Sequence, residues 1–66
     1  MTAPDLAALS SISAQIDELQ TRITAMAERY GTTPDSAIAA DLYSVERALL
    51  TAARALARAA ASMDRT

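Results

Sequence analysis

The sequence predicts an all-α fold, an antiparallel helical hairpin that dimerises into a four-helix bundle, and three observations carry that expectation. Apolar residues recur in alternating steps of three and four along both halves of the chain. A single break, Gly31-Thr32-Thr33-Pro34, separates the halves. The second half is also apolar over a wider arc than one neighbouring helix can cover. Alternating steps of three and four make a heptad with apolar a and d positions, the pattern of a helix whose stripe docks on another helix.

The first helix has a start signal at Thr2-Ala3-Pro4-Asp5. The threonine can cap, the proline belongs in a first turn, and the acid three residues on can reach back to the cap amide. Its seam runs Leu9, Ile12, Ile16, Leu19, Ile23, Met26 and Tyr30. Gly31, the only glycine in the chain, is the expected left-handed C-cap. Thr33-Pro34-Asp35-Ser36 then restarts the pattern, with a cap residue, proline at the first helical position and an acid to complement the helix dipole. The second seam is Ile38, Leu42, Val45, Leu49, Ala52, Leu56, Ala59 and Met63. The expected organisation is one domain over 1–66, with helix one at about 3–30, a turn at about 31–33 and helix two at about 34–64.

A link of two or three residues can only reverse the chain, so the helices, each roughly 40 to 45 Å long, must lie side by side. Opposing a with d sets Ile23 against Val45, Leu19 against Leu49, Ile16 against Ala52 and Ile12 against Leu56, all at one constant register. A register shifted by one layer, with Ile23 against Ile38, stays open at this level.

The second helix offers more apolar surface than its seam. Ala48 and Ala55 flank the stripe on one side; Ala39, Ala53 and Ala60 flank it on the other and lead round to Tyr43 and Leu50. Alanine has its own helix propensity and does not demand burial. Leu50 and Tyr43 have no such reason to lie outside the seam, and complete burial of a leucine contributes about 1.5 to 3 kcal/mol. Tyr43, Leu50 and Ala53 are therefore the expected interface residues of a four-helix bundle made by two hairpins with two-fold symmetry.

Composition narrows the chemistry. A chain of 66 residues buries too little surface to be comfortably stable without disulfides, metal or association. It has neither cysteine nor histidine, which removes disulfides and the usual zinc sites and leaves self-association as the available staple. The net charge of −2 offers no general attraction to nucleic acid or anionic membrane. The acidic start and the lack of an apolar run near the roughly 20 residues of a membrane span make a cytoplasmic protein the expectation.

No nucleophile stands beside an evident base, and the carboxylate di-iron and phosphorelay bundles both require histidine. Asp17 and Glu18 are adjacent in sequence but splayed around the helix, with Arg22 an ordinary partner for Glu18 four residues on. Neither enzymatic activity nor a cofactor or metal is expected.

The remaining candidate is a ridge of Arg47, Arg54, Arg58 and Arg65, which project within about 40° of one another on the outer face of helix two. Guanidinium groups in a row can grip phosphates or an acidic partner. A solvated polar face that also complements the helix dipole is the simpler account of them. The leading expectation is a non-enzymatic interaction module that self-associates, most simply as a dimer. The alternatives are an anion-binding regulator using the arginine ridge for a nucleotide, nucleic acid or acidic protein, and a subunit of a hetero-oligomeric complex with another helical protein.

Overall fold

The computed structural model describes residues 3–65 and shows two packed helices, α1 at Ala3–Gly31 and α2 at Ser36–Asp64. Each has 29 residues. At 1.5 Å per residue both are about 43 Å long, and the hairpin they form measures 51 × 15 × 9 Å. Its radius of gyration is 15.3 Å, against about 11 Å for a compact chain of this length. Thr2, the expected cap of α1, lies outside the described residues.

The turn departs from expectation in an instructive way. Gly31 continues α1, and no described residue has a positive φ, so there is no left-handed glycine cap. Threonine hydroxyls supply what the glycine motif would have supplied, donors for the last carbonyls of the helix. Thr32 Oγ1 donates to the Arg29 carbonyl at 3.3 Å and Thr33 Oγ1 to the Tyr30 carbonyl at 2.8 Å, with the Thr33 amide on that same oxygen at 3.1 Å. Thr33 Oγ1 also accepts the Asp35 N–H at 3.1 Å, the bond expected of a threonine cap. The α-helical ladder nevertheless begins at Ser36, with Pro34 left in the turn and a tight bond from the Ile38 amide to the Asp35 carbonyl at 2.9 Å. The Thr33 hydroxyl thus bonds to backbone on both sides of the reversal.

Register is fixed by one long-range hydrogen bond, from Thr24 Oγ1 to Glu46 Oε2 at 2.8 Å. It sets Thr24 level with Glu46, close to the register that opposes Ile23 with Val45. Opposing Ile23 with Ile38 would need a slide of about 13.5 Å, nine residues of helix.

The contact row is where the structure corrects the sequence most. On α1 the covered positions are Leu6, Leu9, Ser13, Ile16, Gln20, Ile23, Thr24, Ala27 and Tyr30. On α2 they centre on Ala39, Leu42, Glu46, Leu49, Ala53, Leu56, Ala60 and Met63. Both are heptads; α1 keeps Leu9, Ile16, Ile23 and Tyr30 of the expected seam, and α2 keeps all of it at least half-covered except Ile38 and Val45. Ile12, Leu19, Met26, Ile38 and Val45, all expected between the helices, instead stay exposed. The small residues explain the rotation. Ser13, Ala27, Ala39, Ala53 and Ala60 let the backbones approach closely, so the contact settles on their rows and the rows of large side chains turn outward. Among the described residues only Ala27 and Ala39 are fully buried, and both are close to the turn.

Candidate interaction surface

Positions seven apart share one face of a helix in a heptad-packed pair. On α1 the row Ile12, Leu19, Met26 flanks the contact on one side, while Ser10, Asp17 and Thr24 flank it on the other. On α2 the corresponding rows are Ile38, Val45, Ala52, Ala59 and Tyr43, Leu50, Ala57. Two antiparallel helices of the same hand are related by a two-fold axis across their contact, and such an axis keeps equivalent flanks on the same side of the hairpin. The two large-residue rows therefore lie together and form one continuous face.

The opposite face is polar on α1, with Ser10, Asp17 and Thr24, and carries Tyr43, Leu50 and Ala57 on α2. The Thr24–Glu46 bond lies there, within an open groove lined by Asp17, Gln20, Thr21, Glu28 and Glu46. Among the described residues no group of three or more carboxylate, histidine or cysteine side chains is placed to hold a metal ion. Six large apolar side chains remain between 37% and 43% exposed, and Leu50 is the only one of them outside the large-residue rows. So uneven a division is a property of the fold, because scattered exposure would put such residues on both faces.

The residues singled out from sequence fall in different places. Ala53 is half-buried in the contact with α1, Tyr43 is half-buried at its polar flank, and Leu50 is exposed beyond it. They do not make one arc, because the hairpin contact has turned toward their side and covered part of it. Arg47, Arg54 and Arg58 are exposed along α2 and Arg65 just past its end, with Arg47 Nη2 donating to Ser44 Oγ at 3.0 Å. The five residues of the large-residue face were visible in the sequence only as members of the seam. A signal for their outward turn was present in the row of small residues beside that seam, Ala39, Ala53 and Ala60, interrupted only by Glu46.

Among the described residues, no helix is long and apolar enough to cross a membrane. Compared with protein-family models, with curated proteins and with solved structures, the chain matches none.

Proposed function

We infer that this chain is a non-enzymatic helical-hairpin module that works by associating with other helices, its own copies first. The observation that carries this reading is the unpaired face formed by Ile12, Leu19, Met26, Ile38 and Val45.

In a four-helix bundle each helix packs on two neighbours, and its a and d positions point between them toward the bundle centre. The heptad seam read from sequence has that character. Most of it is covered in the hairpin, and Ile12, Leu19, Met26, Ile38 and Val45 are left for helices from outside. A hairpin whose fully buried residues are two alanines has little core of its own, and in so small a chain association supplies what the core lacks.

The test is mass against concentration. Sedimentation equilibrium should give more than the 6.9 kDa of one chain, and the melting temperature followed by circular dichroism should rise with protein concentration, since association stabilises only the folded form. A monomer mass with a melt that ignores concentration would refute the reading.

A further inference from the structure

We propose that the unpaired face is closed by a second copy of this chain lying antiparallel to the first, the turn of each hairpin beside the open end of the other. This rests on the self-association read above and adds to it the partner, the face and the orientation.

Area supports a second copy. The hairpin exposes 4743 Å², whereas a compact monomer of its mass exposes about 4,000 Å². The excess, about 750 Å² spread over the elongated hairpin, leaves room for the roughly 800 Å² that each partner contributes to a stable interface of standard size. A second hairpin has the length and the apolar rows to cover it.

Orientation follows from side-chain size along the rows. The α1 row is large throughout, Ile12, Leu19, Met26, but the α2 row tapers from Ile38 and Val45 near the turn to Ala52 and Ala59 toward the open end. With the copies antiparallel, α1 packs on α1 and α2 on α2. Ile38 then meets the partner's Ala59, Val45 meets the partner's Ala52, Ile12 meets the partner's Met26, and Leu19 meets its own counterpart at the two-fold axis. Large opposes small at every α2 level. The two rows also share one centre: with Thr24 level with Glu46, Leu19 and the midpoint of the α2 row agree to within about 4 Å along the axis. A single two-fold axis can serve both.

The turn-to-turn arrangement packs α1 on the partner's α2 instead. With Thr24 level with Glu46 it sets Ile12 against the partner's Ala59, Leu19 against the partner's Ala52 and Met26 against the partner's Val45, and leaves Ile38 of both copies past the end of the α1 row, beside the partner's turn, so the packing thickens toward one end and thins toward the other. It would bring Arg29 near the partner's Asp41, but an ion pair on an exposed rim contributes too little to offset that mismatch.

Distance between turns decides the matter. The chain has no cysteine, and a Cβ added at Gly31 would meet nothing within 4 Å, so Gly31→Cys carries a single spin label without disturbing the fold. Thr32→Cys, also exposed, provides a second site. Pulsed dipolar spectroscopy on the full chain, at a concentration where sedimentation gives a dimer, should find label pairs about 36 Å apart along the axis. Pairs closer than about 25 Å at both sites, with the dimer mass kept, would overturn the antiparallel arrangement and leave self-association standing; side-by-side turns are separated only by interaxial spacings of about 8–10 Å plus the label arms. A monomer mass for wild type and both variants would overturn the self-association reading and this inference with it.

Discussion

Truncating Leu19 tests the division of labour between the two faces. Leu19 is 43% exposed in the hairpin, so a large part of its side chain is left for a contact outside the α1–α2 pair. Full burial of a leucine contributes about 1.5–3 kcal/mol, and the part still exposed therefore holds about 1 kcal/mol for a second contact. Two-fold symmetry places the change on both sides of the interface, making the loss about 2 kcal/mol per dimer. That corresponds to a dissociation constant roughly 30-fold weaker. Helicity should not suffer, because alanine is the best helix former. Leu19→Ala is therefore expected to keep its far-ultraviolet circular dichroism at high concentration while its sedimentation isotherm shifts to higher concentration by one to two decades, on the order set by that loss. An unchanged isotherm, or a loss of helix at concentrations where the wild type is fully assembled, would refute the reasoning that this row faces a partner and not the other helix.

Gly31→Ala should stabilise the protein by about 0.5–1 kcal/mol, read as a higher melting temperature, because Gly31 is helical with open space around its Cα; a left-handed cap glycine would give the opposite sign. Thr24→Val removes the donor to Glu46 and should cost about 1 kcal/mol in chemical denaturation, with Glu46→Gln milder since an amide oxygen can still accept. Leu50→Glu should leave the sedimentation mass unchanged, since Leu50 stands alone beside the polar groove; a monomerised variant would put the interface on that side instead. Replacing both Arg54 and Arg58 with glutamine should leave mass and melting nearly unchanged, and calorimetry of the wild type at low salt should find no nucleotide bound more tightly than about millimolar.

The two-helix architecture was legible because its signals are local. Steps of three and four wind an apolar stripe around a helix, and Gly31-Thr32-Thr33-Pro34 interrupts that stripe once. How the interruption works was less legible: a glycine before two threonines suggests a left-handed cap, yet hydroxyls from Thr32 and Thr33 satisfy the same carbonyls and allow Gly31 to stay helical. The orientation of the stripe was not legible either. Ile12 and Leu9 lie in neighbouring heptad rows of similar hydrophobicity, and what separates them is closeness of approach, set by Ala27 and Ala39 in the row beyond and realised only when two helices meet. Arg47, Arg54, Arg58 and Arg65 are exposed, as charge alone requires without help from packing.

Ala27 and Ala39, the fully buried pair beside the turn, give the hairpin a direction of failure. Toward the free ends the helices are held only by half-covered side chains, Ala53 and Ala60 on α2 among them. Opening should begin at the tips and travel toward the closed end, as tongs part, so the slowest-exchanging amides belong on either side of the bend and the fastest at the tips. A copy laid head to tail would set the firmly closed end of each hairpin alongside the loose end of the other, and each pair of tongs would hold the other shut.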